Sequence, residues 1–530
     1  MNSSANAVPL AATVLLARSP LTLPSPPSDG GEGRVRGSPE VFLVRRAEAL
    51  RFLGGFHAFP GGRLLSADAE LAEELRHGLE TMPQQEAVQR IAAVRELFEE
   101  TGVLLARRPD GAFPADADLA AARVEILADG GVFPALLRRL GLTIRPSDLS
   151  HVGNLVTPPF SAVRFDTAFF TAVLPPGQTP TVQPGELDAG EWLSADAALR
   201  AWEVGRILIS PPTVSLLQTI RGRPVEEVSR RGRPLFDALT AGSPEVIYFS
   251  PHVQMMPLFC NGLPPTFYTN AFLVGHDPAY LIDPGPTAPE EQSRLFTLLD
   301  ARRDTGACLA GVVLTHHHPD HIGAAGAVAR RYGVPILAHP WTARALADKV
   351  AVDQEINEGA VLDLGTAPHG GPWRLEAIHT PGHAPGHLCF WESSYRLLFA
   401  GDMASTISSV VIAPPDGDLT AFLDSLHRLR SLPARLLLPA HGSVSARPHF
   451  VIDETLTHRR KREEQLLQAL ASGPRRVAEL AQEMYRGAPA EVMPFAEKQV
   501  LAGLLKLERE GRAIKEGNDS AWRTAAAKSS

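Results

Sequence analysis

The stretch GVVLTHHHPDHIG, Gly311 to Gly323, carries the densest chemistry in the sequence. Val312 to Leu314 read as a buried strand that Thr315 ends. Pro319 and Asp320 mark a helix start, and the helix is expected to run through AAGAVARRY to Gly333, with Pro335 just beyond. His316, His318, Asp320 and His321 are thereby gathered in a strand-to-helix loop, where a rigid scaffold commonly displays reactive groups. Imidazole and carboxylate suit zinc and similar divalent ions. His316 and His318 are two apart and can point the same way, while Asp320 and His321 are adjacent and diverge toward a second ion. One histidine in a loop is ordinary; four ligand-type residues in six positions predict a metal.

Three later segments have the same character. HTPGHAPGH places His383 after a Pro-Gly turn, with His387 four residues on. LLFAGD ends an apolar strand in Asp402, and LLLPAHG ends another in His441. Any one alone is turn chemistry. Together, HxHxDH at 316–321 followed by TPGHAPGH, FAGD and PAHG resembles the metallo-β-lactamase fold hydrolases over roughly residues 245–450. The resemblance implies an αββα sandwich with metals at one edge. It implies that His316, His318 and His383 bind a first metal, that Asp320, His321 and His441 bind a second, and that Asp402 bridges. Asp283, in LIDPG, matches the family's early strand-end Asp and is expected to orient a histidine ligand. The His-rich set suits two zinc ions, with iron or manganese as alternatives. Two ions roughly 3.5–4 Å apart can share a hydroxide at neutral pH, so no Ser or Cys nucleophile is needed. Asp320 is the candidate to accept a proton as the intermediate breaks down.

A second motif, RELFEETGV, lies at Arg95 to Val103. Helical spacing puts Glu96, Glu99 and Glu100 on one face. Three carboxylates repel one another unless a cation sits among them, which suits magnesium or manganese and a phosphate-bearing substrate. FPGGR at 59–63 precedes this run. The pair of motifs resembles the Nudix hydrolases, and the later RFDTAFFTAVLP and GELDAGEWL resemble the branch with coenzyme A diphosphatases. By that resemblance Gly62 is the motif glycine, Arg95 braces the box, and the three glutamates hold magnesium. The sequence departs from the pattern in the long spacing from Gly62 to Arg95 and in having no intervening Glu in register. An insertion around LSADAELAEELRHGLETMPQQ accounts for the spacing.

Toward the C-terminus, THRRKREEQLLQAL, VAELAQEMY and a span from Phe495 to Glu510 read as three helices, with Val500, Leu504 and Leu507 on a core face. GRAIKEGNDSAWRTA reads as a hairpin. The arrangement suggests a winged helix and resembles metallo-β-lactamase proteins that end in one, among them a mitochondrial endoribonuclease and acyl-carrier thioesterases. Charges from His458 onward nearly balance, so a phosphate-driven grip on RNA is not favoured. A helical cap over the cleft is the alternative, with His458 to Arg462 at the phosphates of a small anionic substrate.

The expected architecture is thus an α/β multidomain chain. It comprises a Nudix α/β/α sandwich at 1–222, a linker at 223–244, a metallo-β-lactamase domain at 245–454 and a winged-helix-like domain at 455–530. A Pro-, Gly- and Ser-rich insertion at 19–38 is expected inside a hairpin. The 530 residues, 44% apolar and 21% charged with net charge −8, fit a multidomain globular protein and argue against a surface built wholly for nucleic acid. Cys260, Cys308 and Cys389 are scattered, as in a reducing compartment. No apolar run approaches the roughly 20 residues of a membrane helix. Val8 to Leu16 reads as a strand, and a cytoplasmic enzyme with no membrane partner is expected. The favoured function is metal-dependent hydrolysis of a thioester such as acyl-CoA, with a Nudix domain that cleaves nucleoside diphosphate derivatives. A metal-dependent endoribonuclease and a non-catalytic binding scaffold are the alternatives.

Overall fold

The computed structural model describes residues 8–18, 39–75, 82–161, 163–223, 227–240, 247–260, 262, 264–516 and 521–525. These form two compact units, 1–251 and 252–530.

The first unit is built on strand Leu10–Arg18, which pairs in parallel with Asp166–Val173 and antiparallel with Glu40–Arg46. Successive side chains on a strand face opposite ways, and this strand divides its apolar residues accordingly. Val14 and Leu16 pack with Ile91, Leu97 and Phe98 of helix Gln84–Thr101. Leu15 and Ala17 pack on the other face with Trp202, Leu217 and Phe236. An α/β/α sandwich results. The hairpin expected around 19–38 is present, since Ala17 faces Val41 and Arg18 faces Glu40, but 19–38 itself lies outside the described residues. Segment 223–244 is not a bare linker. It contains helix Val228–Thr240, whose Phe236 is 3% exposed and stacks against Phe169, so this stretch belongs to the unit's core.

The second unit contains two facing sheets. One runs in the order Gln354–Glu355, Ile336–Ala338, Leu309–Val313, Ala279–Ile282, Tyr268–Gly275, Val253–Phe259. The other runs Val361–Thr366, Pro372–His379, Leu388–Glu392, Leu397–Gly401, Leu436–Pro439. Phe272 and Phe399 meet edge to face between them at 5.4 Å. Leu295, Leu299 and Val328 cover one outer face from helices Pro289–Asp304 and Ala325–Tyr332. Phe422, Leu426 and Ile452 cover the other from helices Leu419–Arg430 and Pro448–Ala471. This is the αββα sandwich.

Two details differ from the sequence reading. The helix after the histidine run is broken, into Pro319–Ile322 and Ala325–Tyr332. Ala324 N–H donates to the Pro284 carbonyl at 2.8 Å, and a Cβ on Gly323 would stand 2.4 Å from the Gly285 oxygen, so the chain must turn there. The expected boundary at 454/455 falls inside the single helix Pro448–Ala471. That helix continues into the C-terminal module, where Leu466 and Leu470 join Leu480, Leu504, Leu507 and Trp522 in one core. The module is completed by helices Val477–Met484 and Met493–Arg509 and a sheet of Arg475–Arg476, Ala521–Thr524 and Ala513–Glu516. No helix of the described residues is long and apolar enough to cross a membrane. The three cysteines are unpaired as disulfides.

Candidate metal centre

The site is organised from Asp283, at the end of strand Ala279–Ile282. Its φ of 48° lies in the left-handed region, which Asp tolerates better than most residues. From there Oδ1 accepts the Thr315 N–H at 2.8 Å and Oδ2 accepts the Thr315 hydroxyl at 2.6 Å. A carboxylate can only accept, so Thr315 Oγ1 is left to accept from His316 Nδ1, 2.9 Å away. That puts the His316 proton on Nδ1 and leaves a lone pair on Nε2. Asp283 Oδ2 accepts from His321 Nδ1 at 2.8 Å. The carbonyls of Val411 and Tyr268 accept from His383 Nδ1 and His441 Nδ1, each at 2.8 Å. Four imidazoles are thus held with Nε2 turned inward, the arrangement in which a neutral histidine binds a metal.

The inward atoms converge. His318 Nδ1 lies 2.9 Å from both His316 Nε2 and His383 Nε2. Asp402 divides its oxygens: Oδ2 is 3.4 Å from His383 Nε2, whereas Oδ1 is 3.4 Å from His441 Nε2 and 3.6 Å from His321 Nε2. Asp320 Oδ2 stands 3.5 Å from His441 Nε2 and 3.8 Å from His321 Nε2. Three sets have all their ligand atoms within 4.8 Å of one another: His316, His318 and His383; Asp320, His321 and His441; and His316, His321 and Asp402. The third set joins the first two.

The electrostatics fit divalent cations. Burial, and then the neighbouring histidines, hold His316 far below its usual pKa and push His318 down to about 3, so both rings are neutral at pH 7. Burial alone would depress His321 too, but Asp320, Asp283 and Asp402 raise it to about 10. An excess of negative charge surrounds that ring. His321 Nε2 and Asp402 Oδ1 are buried with no hydrogen-bond partner, a costly state unless something between them is bound. Lone pairs that converge without donors and carboxylates that lack counter-charge are what a cation pair would satisfy.

His387, four residues after His383, supports the site from behind. It is wholly buried, its Nδ1 meets Thr380 Oγ1 at 2.8 Å, and its Nε2 accepts the Asp402 N–H at 3.0 Å. It therefore fixes the backbone that presents Asp402. Gly401, at φ 48°, is required there, because a Cβ would stand 2.5 Å from His387 Nε2. The repeated PGH of TPGHAPGH was the available signal. The row His458 to Arg462 is divided, with Arg460 and Lys461 exposed and two arginines engaged within the protein. Arg459 is 7% exposed and turned inward, and Arg462 Nη1 donates to the Met484 carbonyl at 3.0 Å.

In the first unit, Glu96, Glu99 and Glu100 share the end of helix Gln84–Thr101. Arg95 Nη1 donates to Glu96 Oε1 at 3.0 Å and Glu99 Oε1 at 2.9 Å, while the Gly61 N–H donates to Glu100 Oε2 at 2.7 Å. Gly62 lies against Glu96, and a Cβ there would meet its carboxylate at 2.5 Å. Burial, then repulsion from Glu99 against the pull of Arg95, raises Glu96 to about 7. Burial and Glu96 raise Glu100 well above its usual value. A cation among the three would relieve the crowding. Asp68 was passed over. It is in the Gly62-plus-six position where the sequence reading found no Glu in register, and it is fully buried. It takes Arg95 Nε at 2.8 Å and Nη2 at 2.9 Å. The insertion therefore falls after Asp68, between it and Arg95.

The comparisons with known proteins follow this division. The metallo-beta-lactamase superfamily model matches residues 264–441, the NUDT19 Nudix domain model 69–220, and the beta-lactamase associated winged helix domain model 477–522. A hydroxyacylglutathione hydrolase of Bdellovibrio bacteriovorus is 27% identical over 190 residues, 35% of this chain and 65% of its own length. The chain thus spans just under two thirds of that relative. The atrochrysone carboxyl ACP thioesterase of Passalora fulva is 30% identical over 256 residues, 46% of this chain and 72% of its own. A solved beta-lactamase domain protein from Burkholderia ambifaria is 22% identical, with a TM-score of 0.47 over 54% of this chain and 94% of that one.

Proposed function

The chain belongs to the metallo-β-lactamase superfamily, with a Nudix domain before that region and a winged helix after it, and we propose that it hydrolyses thioesters at a dinuclear metal centre. The observation that carries this reading is Asp402, which offers one oxygen to His383 and the other to His321 and His441. In this reading His316, His318 and His383 hold one ion, Asp320, His321 and His441 hold the other, and Asp402 spans both. Bound there, two divalent cations supply Lewis acidity toward a carbonyl oxygen and lower the pKa of water.

The chain's own residues do the rest. Asp283, Val411 and Tyr268 keep four rings from turning, so the site is formed before substrate arrives. Asp320, with its side chain 25% exposed, takes a proton from the attacking water and returns it to the departing thiolate as the C–S bond breaks. A thioester is favoured over other acyl compounds because two relatives are named for such work: a hydroxyacylglutathione hydrolase and a carrier-protein thioesterase. An RNA substrate fits less well. The winged helix ties up several of its cations, with Arg509 on Asp418, Lys506 on Glu463 and Glu510, and Arg475 on Glu483.

The Nudix region supports a second activity, magnesium-dependent cleavage of a nucleoside diphosphate derivative. Its support is the Arg95-braced carboxylate cluster.

Metal analysis of the purified full chain, with acyl-coenzyme A, acyl-glutathione and RNA assayed side by side, tests the reading. Two equivalents of zinc, iron or manganese with thioester turnover are expected. RNA cleavage without thioester turnover sinks it. Glu99→Gln is expected to abolish nucleotide cleavage while thioester turnover persists.

A further inference from the structure

The hydrogen bonds of the C-terminal module lead back to His383. His383 Nδ1 donates to the Val411 carbonyl, in the loop 403–418 between Asp402 and helix Leu419–Arg430. The adjacent carbonyl, that of Val410, is held from the module. Gln499, on helix Met493–Arg509, donates its Nε2 to Val410 O at 2.8 Å. The Arg459 guanidinium, on helix Pro448–Ala471, donates to the same oxygen. Arg459 Nη1 also donates to Gln499 Oε1 at 3.1 Å, so the two side chains act as one clamp.

Arg459 is unusual in its setting. It is 7% exposed, lies over the Phe422 ring at 5.4 Å, and keeps its Nε without a hydrogen-bond partner. Among the described residues no carboxylate forms an ion pair with it. A buried charge held only by neutral acceptors is a poor stability device. Its geometry serves the loop instead. A second link runs through the same helix. Arg509 pairs with Asp418 at 2.7 Å, and the Asp418 N–H donates at 2.8 Å to the carbonyl of Gly382, the residue before His383. The module therefore grips both the backbone that carries His383 and the carbonyl next to the one that aims its ring.

We propose that Gln499 and Arg459 are positioning residues of the metal centre, through which the winged helix fixes the 410–411 carbonyls and so the aim and tautomer of His383. This rests on His383 being a metal ligand. The role assigned to the module is completion of the hydrolytic site from outside. A group that accepts directly from a ligating ring, as Val411 O would, is worth 10–100-fold in metal affinity, and Gln499 and Arg459 act on it through one further peptide.

The test uses the full chain with Gln499→Leu, Arg459→Lys and His383→Ala, and zinc competed with a chelator while the bound ions are counted. Melting of the metal-free proteins is measured alongside. Gln499 is half-buried, so the module is expected to fold without it, which the metal-free melting temperature checks. Gln499→Leu is expected to weaken one of the two ions by up to about 10-fold, the lower end of the range for a direct partner of a ligating ring, with the other ion and the metal-free melting temperature unchanged. Arg459→Lys keeps a donor and should fall between wild type and Gln499→Leu. His383→Ala should lose the same ion outright. Wild-type affinity for both ions in Gln499→Leu, or a joint loss of both that follows a lower metal-free melting temperature, overturns the positioning role. Retention of both ions in His383→Ala overturns the ligand reading beneath it.

Discussion

The two metal-ready regions solve the same problem with opposite materials. In the second unit, imidazoles converge, His316 and His318 among them neutral, and the outer nitrogens of His321, His383 and His441 are tied to Asp283, Val411 and Tyr268. In the first, carboxylates converge and one guanidinium, Arg95, holds two of them apart while Asp68 holds Arg95. A neutral nitrogen costs little to bury and can wait for its ion with a fixed lone pair. A carboxylate is penalised on burial, so an oxygen-based site needs an internal cation or a raised pKa when the metal is away. Each region also turns on one buried aspartate: Asp283, 1% exposed, orients a ring, and Asp68, also 1% exposed, anchors a charge.

Removing an inner nitrogen should break the comparison hardest. His318 supplies the one atom that both His316 and His383 approach at 2.9 Å. His318→Ala is expected to remove an ion and lower thioester turnover by roughly 10³-fold, the rate equivalent of several kcal/mol of Lewis-acid stabilisation. Nucleotide cleavage should be untouched. A variant that keeps both ions and full rate in metal analysis and steady-state kinetics refutes the ligand assignment.

The matching cut in the first unit is Asp68→Ala. It leaves Arg95, with a side chain 1% exposed, facing two partly exposed glutamates and no bidentate partner. Stranding one member of a buried pair costs about 3–5 kcal/mol. Hydrogen exchange of the amides in Gln84–Thr101 should speed up by that amount, and exchange in the second unit should not change. Unaltered protection would mean that Arg95 is held by the glutamates and the Arg63 carbonyl alone.

The two sites were not equally legible. HxHxDH, TPGH, FAGD and PAHG are compact, and each ends a strand, so the residues that converge could be read directly from the sequence. Asp283 was legible for the same reason. The role of His387 was not, because its partner is the backbone N–H of Asp402, and a main-chain contact leaves no mark at the partner's position. Asp68 was hidden by distance: 27 residues separate it from Arg95, and the fold closes the gap by laying helix Ser66–Glu74 against Gln84–Thr101. The helix Val228–Thr240 looked like a connector because of its polar composition, although Val228 and Phe236 anchor it in a core. The role of the C-terminal helices was opaque because their polar links reach carbonyls at Val410 and Gly382, through Gln499 and Asp418.

The smallest effect tests the price of waiting for a metal. Glu96 has its pKa raised from 4.5 to about 7, first by burial and then by Glu99, against the pull of Arg95. A folded-state pKa above the unfolded one means that the protonated form is favoured in the fold. The contribution of Glu96 is therefore fully present below about pH 4.5 and is lost as pH rises through about 7. The span corresponds to roughly 3 kcal/mol, an upper bound since the carboxylate retains 13% of its exposure. Glu96→Gln removes this titration without removing the side chain. Metal-free wild type should thus lose stability between pH 4.5 and 7 relative to Glu96→Gln, and saturating magnesium should abolish that difference by supplying the missing charge. The imidazole site responds in the opposite sense, because burial keeps His316 and His318 neutral in the fold while the unfolded rings take up protons below about pH 6.5, so their effect on metal-free stability is a loss as pH falls. If urea titrations at a series of pH values give parallel curves for the two proteins without metal, burial does not strain Glu96, and the contrast between the two regions loses its electrostatic basis.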